Sequence, residues 1–243
     1  MRRKRRTFSS RFRTIESLKR LKWTNTSPEQ LLRAEMRILD TLKSSFQGRS
    51  IPVMNKEHSI WTIYSNLSST NIPLILVHGF GGGVGLWSLN LDQICIDRPI
   101  YAFDLPGFAR SSRPTLSLNP VEAEQQFVDM FEEWRKEIGL NRPFILLGHS
   151  FGGFLSASYA IRYPAYVKQL VLVDPWGFAE KPADVWQSER LQRVPPWLRT
   201  ISSVVMKFSP LAALRAAGPL GKNAYLSCMP LHFRRLSNQV CTW

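Results

Sequence analysis

The sequence predicts an α/β fold in which helices cover both sides of a mostly parallel sheet. Three observations lead there. Residues 73–77, 99–103, 143–147 and 168–173 are short, largely apolar runs of strand length, as expected for strands buried on both faces. Helical segments at 120–138 and 152–162 alternate with these runs, which is the order of strand, crossover helix and parallel strand. The runs end at the polar or glycine-rich segments 78–83, 104–110 and 148–153, and such sheets place ligands at the carboxyl ends of their strands.

Each element has its own signal. Ser27, Pro28 and Glu29 read as an N-cap, a proline at the first helical position and an acidic first turn. Leu31, Leu32, Met36, Ile38, Leu39, Leu42 and Phe46 then recur at helical spacing, predicting one amphipathic helix to about residue 46 that packs on the domain. Residues 50–54 and 59–65 predict a β-hairpin turning at Asn55 and Lys56. The helix at 120–138 is opened by Asn119 and Pro120 and closed by Gly139. From residue 179 to about 221 strand signals stop, and Trp186, Pro195, Pro196 and Trp197 accompany helical stretches, predicting a helical lid.

The chain has 243 residues, 44% of them apolar, enough for one good core. Its net charge of +14 is uneven, because residues 1–22 hold ten Lys or Arg against the single acid Glu16. Residues 1–26 therefore read as a basic tail: a disordered charge run, an anchor to anionic lipid, or an Arg- and Ser-rich mitochondrial-type presequence. No apolar segment follows to make it a secretory signal, and the interleaving does not match a nucleic-acid module. No apolar run approaches the roughly 18 residues of a membrane span. Cys95, Cys228 and Cys241 are odd in number and widely spaced, which fits reduced thiols, and no Cys/His spacing suggests a metal site or cofactor.

The chemistry concentrates at Gly148-His149-Ser150-Phe151-Gly152. Following a strand and opening a helix, the spacing Gly-x-Ser-x-Gly predicts a nucleophile elbow with Ser150 as the attacking group. Residues two before and two after must be small because their side chains would collide across so sharp a turn. The backbone N–H of Phe151, at the helix N-terminus, is one expected oxyanion donor. The second is expected from the run His78-Gly79-Phe80-Gly81-Gly82-Gly83, at Phe80, with Gly81 as the neighbouring alternative. Geometry argues against His78 or His149 as the base; His78 is expected to tie neighbouring loops together, and Asp104 to cap its own turn beside the pocket. A serine hydrolase needs an acid and then a histidine after its nucleophile. His232 is the only histidine after Ser150 and is followed by Arg234 and Arg235, so it is not assigned as base, and Asp174 is expected to cap the turn into Pro175. Further strand–helix units carrying the acid and base are not recognisable, and residues 222–243 read as a divergent tail to a partial domain at 27–221.

The stretches HGFGGGVGLW (78–87), FDLPGFARSSRP (103–114), LLGHSFGGFLSASYAIRYP (146–164), LVLVDPWGF (170–178) and LRAAGPLG (214–221) resemble abhydrolase domain-containing proteins 4 and 5, a branch of the α/β-hydrolases. The resemblance implies an α/β-hydrolase fold with a helical lid. It also implies a serine-dependent hydrolase or acyltransferase acting on lysophospholipid or N-acyl phospholipid esters. The alternative it implies is a non-catalytic adaptor that regulates a triacylglycerol lipase partner. Either would work in the cytoplasm on intracellular membranes or lipid droplets, with a mitochondrial location as the other option. Ser150 sides with the hydrolytic members, the late His-x4-Asp motif of the acyltransferases is absent, and Ala109 stands where the branch usually has glycine.

Overall fold

The structure, a computed structural model, describes residues 27–178. The strands are β1 (Gln47–Val53), β2 (His58–Ser65), β3 (Leu74–Val77), β4 (Ile100–Phe103), β5 (Phe144–His149) and β6 (Val167–Val173). The helices are α1 (Pro28–Leu39), α2 (Ser88–Ile94), α3 (Pro120–Glu137) and α4 (Phe151–Arg162), and a 3-10 turn covers Val84–Trp87. The sheet order is β1-β2-β4-β3-β5-β6. β1, β2 and β4 pair antiparallel, whereas β4, β3, β5 and β6 run parallel. From central β3 the chain goes to β4 on one side and from β4 crosses back to β5 on the other, creating a switch point at the carboxyl end of β3.

Period-two alternation divides the strands between two cores. Ile75 and Val77 of β3, Phe103 of β4 and Phe144 and Leu146 of β5 face α3 and α4, where they meet Phe131, Trp134, Leu155 and Tyr159. Leu74 and Leu76, Ile100 and Ala102 face the other way, onto Val84, Trp87, Leu91 and Cys95. All four residues of β3 are buried, as the continuous apolar run requires. β6 is the exception: its burial is only partial, and Lys168, Gln169 and Val173 are exposed.

The hairpin, the caps and α3 form where expected. Met54, Asn55 and Lys56 take positive φ in the β1–β2 turn. The Asn119 side chain accepts the Val121 N–H at 2.9 Å, and Gly139 follows α3 at φ +70°. The first helix differs from expectation. α1 stops at Leu39, not near 46, and Leu31 and Met36 are exposed. Leu39, Leu42 and Phe46 do pack on the core, the last two from non-helical chain. The buried residue of α1 is Glu35, which accepts the Trp61 Nε1–H at 2.9 Å and pairs with Arg110 at 2.7 Å. An apolar stripe therefore overstated the helix, because the same side chains also bury from a turn. The helical lid expected at 179–221, the basic tail 1–26 and the segment 222–243 lie outside the described residues.

Candidate active site

β5 runs directly into Ser150, whose backbone has φ 54° and ψ −118°, and α4 begins at the next residue. This is a costly conformation for an L-residue, and the surroundings hold it in place. The Ser150 N–H donates to the Val173 carbonyl of β6 at 2.9 Å. Its carbonyl accepts from Gly153 and Phe154 of α4 and from Trp176, at 3.0, 3.2 and 3.0 Å. The two flanking glycines leave no room for a side chain. A Cβ at Gly148 would run into the Gly152 carbonyl and come within 2.5 Å of the Ser156 Oγ. A Cβ at Gly152 would strike the carbonyl oxygens of Val77 and His78.

The glycine-rich segment after β3 turns back against this elbow. A Cβ on Gly79 would sit 2.9 Å from the Ser150 Cβ, so the two segments touch. Gly81 takes φ +71°, and the Gly82 N–H closes the turn on the Gly79 carbonyl at 3.0 Å. Among the described residues no hydrogen bond engages the amide N–H of Phe80 or Phe151. A strained serine between a strand and a helix, faced by a glycine turn from the neighbouring parallel strand, is the arrangement of a nucleophile elbow.

The family model described as alpha/beta hydrolase fold matches residues 72–211. The chain belongs to the α/β-hydrolase fold family. It is 45% identical over 214 residues to the 1-acylglycerol-3-phosphate O-acyltransferase ABHD5 of Sus scrofa, covering 88% of this chain and 60% of that protein. It is 48% identical over 197 residues to the (lyso)-N-acylphosphatidylethanolamine lipase of Bos taurus, covering 81% of this chain and 56% of the relative. These are the two members of the branch that the sequence stretches resemble. The chain spans 60% or less of the length of these curated relatives. Among solved structures it is similar to a bacterial membrane phospholipase A, with a TM-score of 0.54 and 27% identity over 70% of this chain and 51% of that one. The naproxen esterase of Bacillus subtilis shares the fold, with a TM-score of 0.53 at 16% identity over 63% of this chain and 51% of that one.

Around the family's elbow the side chains are aromatic. Phe80 packs edge-on against Phe108 at 5.4 Å, Phe151 against Phe127 at 5.6 Å and against Trp176 at 5.8 Å. Phe80, Trp176 and Phe178 remain 48%, 57% and 59% exposed. The sequence singled out the amides of Phe80 and Phe151, and none of these rings, as part of the site. The signal was the clustering of aromatics next to the glycines and in the DPWGF run.

His78 is structural, as expected. It is buried, its Nδ1–H donates to the Gly79 carbonyl at 2.8 Å, and its Nε2 accepts the Leu105 N–H at 2.8 Å. Burial lowers its pKa to about 4 and keeps the ring neutral. His149 has a buried Nδ1 without a partner among the described residues. Asp104 is fully buried and does more than cap its own turn. Its Oδ2 accepts the Arg110 N–H at 2.9 Å, and its Oδ1 accepts the Val84 N–H, 20 residues away, at 2.7 Å. Burial outweighs these two bonds and pushes its pKa up to about 7. Asp174 is exposed at φ 44°, and among the described residues its carboxylate has no partner, so the expected capping bond is not formed. Ser150, Phe151 and Phe80 are thus brought together at the ends of β3 and β5, while His232 lies outside the described residues.

Proposed function

We propose that the protein is a serine-dependent acyl-transfer enzyme of phospholipid-type esters, with Ser150 as nucleophile. The observation that carries this reading is Ser150 itself, held at φ 54° against Gly79. In the reaction Ser150 Oγ attacks the ester carbonyl and gives its proton to a general base, a role that in serine hydrolases of this fold falls to a histidine oriented by an acid. The N–H groups of Phe151 and Phe80 receive the oxyanion, each contributing about 3 kcal/mol to the tetrahedral intermediate. Collapse expels the alcohol and leaves an acyl-serine, which water hydrolyses or a lysophospholipid hydroxyl accepts. The names of the curated relatives and of the membrane phospholipase A support a phospholipid-derived ester. The basic segment at 1–22 supports work at an anionic surface, a cytoplasmic membrane face or lipid droplet, with mitochondria as the other destination.

A fluorophosphonate probe tests this reading. It is expected to label Ser150 in the wild-type chain and to leave Ser150→Ala unlabelled; equal labelling of the two excludes Ser150 as nucleophile. Incubation with acyl donor and lysophosphatidic acid separates hydrolysis from acyl transfer by product. A second reading, a non-catalytic adaptor that contacts lipid and a triacylglycerol lipase, is favoured by the exposed rings of Phe80, Trp176 and Phe178. Vesicle binding that persists in Ser150→Ala, with no labelling of the wild type, supports the adaptor.

A further inference from the structure

We propose that Asp104 is a positioning residue that holds the Gly79–Val84 turn, and with it the Phe80 N–H, in register with Ser150. The proposal rests on the reading of Phe80 as an oxyanion donor. Four of the six residues at 78–83 are glycines, so the turn has large conformational entropy to lose. An oxyanion donor, in contrast, must be held to within about 0.5 Å to act. The turn's own closing bond, Gly82 N–H to Gly79, and the His78 ring fix only its first half. Its second half is tied to Asp104, beside the Leu86 N–H bond to the Gly83 carbonyl and the burial of the Val84 side chain. The carboxylate accepts the Val84 N–H at 2.7 Å, and a Cβ on Gly83 would lie 3.1 Å from the same Oδ1.

Asp104 is the rigid member of this pair. Its N–H donates to the Trp61 carbonyl of β2 at 2.9 Å, and its carbonyl accepts the Ser111 hydroxyl at 2.6 Å. Its second carboxylate oxygen is taken by the Arg110 N–H. The Arg110 side chain turns away, stacks 3.4 Å over the Trp61 ring and pairs with Glu35 of α1. Asp104 is thus held by β2 through its backbone and by its own loop, which α1 anchors through Arg110, and the soft glycine turn conforms to it. Being fully buried, Asp104 has no access to substrate and acts only through the turn.

The test uses the full chain and two variants that break the same bond from opposite ends. Asp104→Ala removes both acceptor oxygens. Val84→Pro removes the donor, at the first position of a 3-10 turn after an extended Gly83, a backbone position that admits proline. Each is expected to slow fluorophosphonate labelling of Ser150 on the order of 10-fold or more, with cooperative unfolding retained. In Asp104→Ala the Val84 amide is expected to exchange with solvent faster. The double variant is expected to label no slower than the slower single, because one bond is being broken twice. Unchanged Val84 exchange, unchanged labelling, or losses that multiply in the double variant would each overturn the proposal. If Asp104→Ala does not unfold cooperatively, Val84→Pro decides alone, and labelling within roughly twofold of wild type overturns the role. A wild-type chain that takes no label overturns the functional reading and this proposal together; a labelled wild type with normal labelling of the variants overturns this proposal alone.

Discussion

Glu132 and Asp104 are both buried carboxylates, and the fold treats their charges in opposite ways. Glu132, on α3, meets a full guanidinium: Arg135 donates Nε to Oε2 at 2.8 Å and Nη2 to Oε1 at 2.7 Å, and Tyr159 of α4 adds its hydroxyl at 2.7 Å. Burial acts to raise its pKa, but the bonds from Arg135 and Tyr159 prevail and hold it below the ordinary glutamate value. Asp104 meets two neutral N–H dipoles, while the guanidinium nearest to it is spent on Glu35. There burial prevails and the pKa rises. The same penalty is overcome by a bidentate cation and not by backbone dipoles. The Glu132 cluster ties α3 to α4, with Tyr159 about 12 Å along the helix from Phe151. The Asp104 cluster is wired to the glycine turn and remains able to titrate.

The largest expected effect is at the fully ionised cluster. Arg135→Ala leaves Glu132 buried with only Tyr159 and the 3.6 Å contact to Lys136, and strips the bond to the Leu140 carbonyl. It is expected to cost about 3–5 kcal/mol in urea unfolding. A cost below about 1 kcal/mol would mean that the pair is not the tie it is taken for.

The second prediction concerns pH. The folded chain holds the Asp104 proton up to about pH 7, whereas an unfolded aspartate releases it near 3.8, so this contribution to stability is full below pH 3.8 and lost as pH rises through 7. His78 works in the opposite sense, because its folded pKa of about 4 lies below the ordinary 6.5 and its contribution is lost as pH falls toward 4. Glu35, raised by burial, works with Asp104. Relative to wild type, Asp104→Asn is expected to gain stability as pH rises from 4 to 7, by up to about 1.4 kcal/mol per pH unit. Parallel stability curves for the two proteins would show that Asp104 does not titrate there.

The smallest effect is expected at Ala109, which sits at φ 38° in the loop that carries Arg110. Ala109→Gly removes left-handed strain but loosens the unfolded chain, for a net gain of about 0.5–1 kcal/mol in thermal unfolding. A loss would place the strain elsewhere. Among the described residues Ala109, Ser150 and Asp174 take positive φ on the site's side of the molecule, whereas α3 and α4 contain no such residue.

What the sequence revealed and what it hid follow the same division between local and long-range causes. The buried strands and the elbow were legible because an apolar run and a Gly-x-Ser-x-Gly spacing are local consequences of local sterics. The end of α1 was not, because Leu42 and Phe46 bury equally well from non-helical chain. α2 was missed because it spans seven residues and buries only Leu91. Glu35 was hidden inside an apolar stripe, its burial made tolerable by Arg110 and Trp61, which are distant in sequence. The link from Asp104 to Val84 depends on β3 and β4 being neighbours, and no spacing rule announces it.

The glycines around Ser150 set how this site can change over generations. Most tight packing can be relieved by trimming the opposing side chain. At Gly152 the opposing atoms are the carbonyls of Val77 and His78, which every amino acid carries, and at Gly148 the closest is the carbonyl of Gly152. At Gly79 one of the opposing atoms is the Cβ of Ser150 itself. A selection for second-site suppressors of a larger residue at Gly148 or Gly152 is therefore expected to return reversion to glycine, and one at Gly79 to return glycine or the loss of the serine.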